Sequence, residues 1–245
     1  MEIVFTLIVV VVAAALWSVF LLLGRRGKTA VLRPLPAYEA LDGHIGRAIE
    51  SDSQLHISLG RASLIDTSSP TSIAALSILS KMANDGCSNG TPPLVTVVDG
   101  TLLPIAQESL RFAHDGAKES DDPGLARFIA AQEQPYVYAG GVAVGLQQNK
   151  VLSNVLVGKF GAEIGIITES ANRQDMEQVI GSDDITAVAL GSMVTDNLLI
   201  GEELLAAGAY VEGTAAQIAS LRAQDVLRVA AIAGLLITAV AQFIK

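Results

Sequence analysis

Ile3 to Leu23 reads IVFTLIVVVVAAALWSVFLLL, 21 residues without a charge. As a helix rising about 1.5 Å per residue, it spans roughly 30 Å, the thickness of a bilayer's hydrocarbon core. A run this long and uniform has few other uses, so it is expected to cross a membrane. Only Met1 and Glu2 precede it, and neither is a cation. Its exit, Gly24-Arg25-Arg26-Gly27-Lys28, has no small-x-small pattern, so an uncleaved anchor is expected rather than a signal peptide.

The carboxyl end repeats the theme. Val229 to Ile244, VAAIAGLLITAVAQFI, lies between Arg228 and Lys245. Counted from Val226, with Arg228 reaching to the interface, it is long enough for a second span. Ala230, Gly234 and Thr238 recur every four residues. Small residues at that spacing let helices approach closely in lipid, so this face is expected to pack on the first helix or on a neighbouring subunit. Arg25, Arg26, Lys28 and Arg33 follow the first run, and Arg222 and Arg228 precede the second. The positive-inside bias then predicts two spans of a bacterial inner membrane, with the middle of the chain cytoplasmic and both termini outside. The expected divisions are an anchor at 1–24, a basic, proline-punctuated linker at 25–37, an α/β domain at 38–225 and a second membrane helix at 226–245.

Between the anchors, apolar β-branched runs alternate with helical periodicity. Leu55–Leu59, Leu94–Val98 and Arg127–Ala130 read as strands. Glu163–Thr168 reads as a fourth and Met176–Ile180 as a fifth. Helices are expected over Tyr38–Ser51, Pro70–Asn84, Leu102–Ala117, Tyr136–Gln148, Asp183–Met193 and Leu198–Tyr210. Another is expected to start at Gly213-Thr214 and to run into the last apolar segment. Val151–Val157 fits either a helix extension or sheet packing, and Asp121-Asp122-Pro123-Gly124 reads as a turn. The crossovers are too long for hairpins, which predicts a single Rossmann-like domain: a parallel sheet with helices on both faces.

Ligands of such sheets bind beyond the carboxyl ends of the strands. The residues expected there are Asp66 to Ser69, Asp99 to Thr101, Glu169-Ser170 and Ser182 to Asp184. Of these, Ser68, Ser69, Asp99 and Glu169 are the candidate ligand contacts. Helix capping uses the same residue types at the same places and is the simpler expectation. No catalytic set is legible. There is no G-x-S-x-G elbow, P-loop or dinucleotide fingerprint, and AGGVAVG, with Gly140, Gly141 and Gly145, falls inside a helix. The single cysteine, Cys87, excludes an intramolecular disulfide. His44, His56 and His114 lack metal-ligand spacing, so no metal and no cofactor is expected. His56, inside a strand, is expected to be packed rather than catalytic.

Formal net charge is −9 and aromatics are 4%, which argues against nucleic acid as a partner. The expected partners are the lipid bilayer, further copies of the chain and a protein docked at the membrane.

The segments Arg33-Pro34-Leu35-Pro36-Ala37-Tyr38-Glu39-Ala40 and Leu55-His56-Ile57-Ser58-Leu59-Gly60 resemble a family of bacterial membrane proteins of unknown function. Thr101-Leu102-Leu103-Pro104, Ile200-Gly201-Glu202-Glu203-Leu204, Ala206-Ala207-Gly208-Ala209-Tyr210 and Ala223-Gln224-Asp225-Val226-Leu227-Arg228 extend the likeness over most of the chain. The resemblance implies two anchors around an α/β domain and brings no activity with it. The expected function is therefore a membrane-tethered structural or assembly protein, with little to mark it as an enzyme. The alternative is a sensor of a nucleotide or small ligand, or a cryptic enzyme, using the strand-end rim.

Overall fold

The computed structural model describes residues 2–25, 32–117 and 125–243. The expected turn at Asp121–Gly124, and Arg26 and Lys28 of the linker, lie outside these residues. The chain divides into two units, 34–211 and the flanking segments 1–33 with 212–245.

The larger unit runs α2 (Pro36–Glu50), β1 (Gln54–Gly60), α3 (Ser69–Cys87), β2 (Leu94–Val97), α4 (Leu102–Ala117) and β3 (Leu125–Phe128). It continues through α5 (Pro135–Gln148), β4 (Val151–Lys159), α6 (Ile164–Asn172), β5 (Glu177–Ser182) and α7 (Ile185–Gly191). It ends with β6 (Leu198–Ile200), α8 (Glu202–Leu205) and α9 (Ala207–Val211). The six strands are all parallel, in the order β3-β2-β1-β4-β5-β6. This is the doubly wound order, with its reversal between β1 and β4. Parallel strands buried on both faces need helices on both sides. One core sets α2, α3, α4, α8 and α9 against Leu55, Ile57, Val95, Val155 and Val179. The other sets α5, α6 and α7 against Leu156, Phe160 and Ile180.

Local chemistry starts several helices. Pro36, Pro70 and Pro135 each stand in the first helical turn, where a missing N–H costs nothing. Asp184 caps α7, its carboxylate accepting from the N–H groups of Thr186 and Ala187. Asp184→Ala should lower stability by about 1 kcal/mol, read as a shift in the denaturation midpoint of the full chain.

Two expectations are corrected. Glu163–Thr168 is not a strand: Ile164, Ile167, Thr168 and Ala171 are the buried residues, a spacing of three and four that belongs to helix α6. The strand in that stretch of chain is Val151–Lys159, the long central β4. Leu198–Tyr210 is not one helix. It begins as β6 and turns at Gly201, whose φ of +52° no regular helix allows, before α8 and α9. A six-residue apolar run carries too little periodicity to separate the two states, which is why Glu163–Thr168 misled.

Tyr38 stacks on Tyr210, ring centroids 4.8 Å apart, and its hydroxyl donates to the Glu203 carbonyl at 2.9 Å. The two ends of this unit are thus held side by side.

In the smaller unit, α1 (Glu2–Arg25) packs against α10 (Ala215–Phe243). Ala13, Leu16 and Phe20, spaced three and four apart, are the partly buried side of α1. The Trp17 indole N–H donates to the Ala216 carbonyl at 3.2 Å. The expected continuous final helix is present. By length and composition, Ala215–Val240 could cross a membrane, and Val9–Arg25 is a shorter apolar stretch. Ala230, Gly234 and Thr238 are exposed, with nothing within 4 Å of where a Gly234 side chain would start.

Candidate functional site

Because the strands are parallel, every βα loop opens at one end of the sheet. The β1 loop carries Ser63, Asp66 and Ser68. Asp66 accepts from both the N–H and the hydroxyl of Ser68, and the Ser68 oxygen accepts from the Ser63 N–H at 2.9 Å. These bonds hold the Asp66 carboxyl below its ordinary range: first the Ser68 hydroxyl, then its N–H. After β2, Asp99 accepts from the N–H and hydroxyl of Thr101. Burial pushes Asp99 up, but the bonds from Thr101, Ser63 and Leu102 outweigh it and leave the carboxyl lowered. Thr71 at the start of α3 donates to Asp183 beyond β5 at 2.9 Å.

Ser68, Ser69 and Asp99 therefore do lie at the strand-end rim, within turns that use their polar atoms locally. Glu169 does not. It stands in mid-α6, more than half exposed, and pairs with Arg173 one turn on, at 2.9 Å. It followed the misassigned strand and moves with it.

At the β1/β4 reversal the chain covers itself. Arg61 Nε donates to Glu163 Oε1 at 2.7 Å, and Glu163 is only 3% exposed. Glu163 also accepts from the Gly161 N–H at 2.8 Å, and Gln132 donates to the Arg61 carbonyl at 2.9 Å. A buried carboxylate needs such partners.

The feature that sequence reasoning missed lies on the sheet face beneath α5. Odd positions of β1 are Leu55, Ile57 and Leu59, whereas His56 and Ser58 face the other way and are wholly buried. The register places His56 beside Asn154 of β4 and Asn154 beside Gln178 of β5. Thr96 of β2 and Tyr138 of α5 complete a polar row across four strands. The row has one consistent direction. The Thr168 carbonyl only accepts, so Gln178 donates its amide to it at 3.1 Å. Gln178 Oε1 then takes a long bond of 3.5 Å from Asn154 Nδ2. Asn154 Oδ1 accepts from His56 Nδ1 at 2.6 Å, which puts the imidazole proton on Nδ1. His56 Nε2 accepts from the Thr96 hydroxyl at 2.9 Å, and Tyr138 bonds to Thr96 and Ser58. The signal was available: two polar residues at alternate positions of a strand whose burial is continuous.

Burial lowers the His56 pKa to about 4, partly opposed by the Asn154 bond, and raises that of Tyr138 to about 12. The ordinary histidine value is 6.5. Between those limits the unfolded chain binds a proton that the folded chain does not. His56 thus contributes stability that is complete above pH 6.5, falls as pH drops, and is gone near pH 4. A difference of that size corresponds to about 3 kcal/mol. Denaturation midpoints measured across that window should show this loss.

Ser153, His44 and Glu177 have the connectivity of a catalytic triad. Ser153 meets His44 Nδ1 at 2.7 Å, and His44 Nε2 lies 3.0 Å from Glu177. Ser153 is fully buried under α2, so no substrate reaches its oxygen. Arg47 also pairs with Glu177, and the group reads as a clasp holding α2 on β4 and β5. Among the described residues there is no cluster of metal-ligating side chains.

No curated protein and no solved structure matches the chain. One family model does match, over residues 1–245, and the chain belongs to that family, the domain of unknown function DUF6754.

Proposed function

We propose that the protein is a membrane-tethered assembly module. In this reading α1 and α10 are both bilayer anchors, the α/β unit stands on the cytoplasmic side, and its carboxyl-end rim docks a second copy or another membrane protein. The observation that carries it is the placement of exposed large apolar side chains. Ile65 after β1 is 85% exposed, and Ile185 at the start of α7 is 87% exposed. Ile105 after β2, Tyr136 after β3 and Ile200 at the end of β6 are exposed as well. Single exposed apolar residues are ordinary, but five of six strand ends converging on one rim favour an interaction surface.

Two further observations support the tether. The Tyr38–Tyr210 stack brings both exits of the unit together, as two anchors entering one patch of membrane require. Arg25 ends α1, and Arg222 and Arg228 precede the most apolar part of α10, the cation placement expected at a cytoplasmic face. The polar atoms of the rim close turns, which favours docking over ligand capture there.

The test is cross-linking with cysteine introduced at Ile65 or Ile185 in native membranes, with Cys87 replaced by serine. The reading expects a discrete cross-linked product from both sites and none from a cysteine at exposed Lys150. Equal products from all three sites, or none from either rim site, would refute it.

A further inference from the structure

A cleft of about 290 Å³ opens between α5 and the β2–β3 edge, away from the rim. Its walls are Leu94, Phe128, Val142 and Val144, and His56 and Thr96 line it from the sheet. Two glycines of α5 shape it in opposite ways. A side chain at Gly141 would begin 2.3 Å from Ile129 Cγ2, so the bare backbone lets α5 press onto the end of β3. One turn on, a side chain at Gly145 would meet nothing within 4 Å. The open space is thus a property of that residue.

The polar groups are sparse: Arg127, the His56–Thr96 pair and Gln148. Arg127 lines the cleft and is exposed, and no described residue forms an ion pair with it. Its register partner on β2 is Thr96, which bonds to His56 at 2.9 Å, part of the polar row that fixes the ring's orientation. The imidazole is uncharged near neutral pH, so the cleft offers one positive charge and apolar walls. That matches a monoanion better than a phosphate, which prefers several donors and more than one cation.

We propose that this cleft binds a small monocarboxylate with a flat apolar body, its carboxylate on the Arg127 guanidinium and its body along Gly141 and Gly145 of α5. The site is separate from the rim, and this inference does not depend on the assembly reading.

The test uses the full chain in lipid nanodiscs, titrated with 2-naphthoate to about 1 mM, the weak end of specific affinities, with uptake by empty discs subtracted. Wild type should show one saturable site that inorganic phosphate does not displace. Arg127→Gln should weaken it about tenfold through loss of a charge-assisted bond. Gly145→Leu should abolish it while holding or raising Tm, because the side chain enters empty space and leucine favours helix over glycine. No saturable binding to wild type, displacement by phosphate, or unchanged binding in either variant would overturn the proposal.

Discussion

Gly158→Ala should unfold the α/β unit or leave it barely stable, with a loss exceeding about 3 kcal/mol. Gly158 has φ +141°, and a methyl there would lie 2.2 Å from the Leu59 carbonyl oxygen and 2.8 Å from its carbon. Across the same junction Gly60 has φ +61°, and its methyl would lie 2.6 Å from the Lys159 oxygen. Both obstacles are backbone, so no side chain can turn aside. The β1–β4 register shifts between Ser58 and Gly60, where the strands close on each other beneath the Arg61–Glu163 pair. Positive φ alone costs an alanine on the order of 1–3 kcal/mol, and the collision adds to it. A domain's whole margin is only about 5–15 kcal/mol. Gly100, in a neighbouring loop with nothing within 4 Å, is the control: Gly100→Ala should stay within about 0.5 kcal/mol. Urea denaturation of the full chain in mild detergent, followed by ellipticity, reads both. A Gly158→Ala protein as stable as the control would mean that the two strand ends do not meet in this way.

His56→Phe should cost about 2–4 kcal/mol although the ring is of similar size and the site is fully buried. Phenylalanine leaves the Asn154 oxygen without its donor and the Thr96 hydroxyl without its acceptor, and each orphaned buried group costs about 1–3 kcal/mol. Two signatures separate this from a packing defect. The loss of stability between pH 6.5 and 4 should shrink by about 3 kcal/mol, since the buried titrating group is gone. A cycle with Asn154→Leu should be non-additive by more than about 0.5 kcal/mol, because the second change removes a group already orphaned. A His56→Phe protein with wild-type stability and an unchanged acid profile would show that the row across the sheet is not a connected unit.

Much of the fold was legible because strand and helix alternate with long crossovers and prolines mark helix starts. Leu102–Ala117 was readable to the residue because its apolar periodicity is strong and Asp99-Gly100 precedes it. The errors fell where length was too short to show a period. Glu163–Thr168 looked like a strand, and the true β4 was obscured because Ser153 and Asn154 interrupt its apolar run. Asn154 of that interruption belongs to the polar row and Ser153 to the clasp under α2, so the groups that obscured the strand are the ones that tie it to its neighbours. The rim was legible through its capping residues, but only the three-dimensional order shows that the exposed isoleucines of separate loops share one end. Glu169 was lost for the same reason as its strand.

The central claim is assembly through the rim, and its most direct test is mass. Full-length protein in mild detergent should give, by light scattering with detergent subtracted, a discrete mass above that of the 25.5 kDa chain. Replacing Ile65 and Ile185 together by aspartate should return it to the monomer without lowering Tm, since neither side chain is buried. A wild-type monomer from which membrane cross-linking also recovers no partner, or an oligomer indifferent to the rim substitutions, would contradict the account.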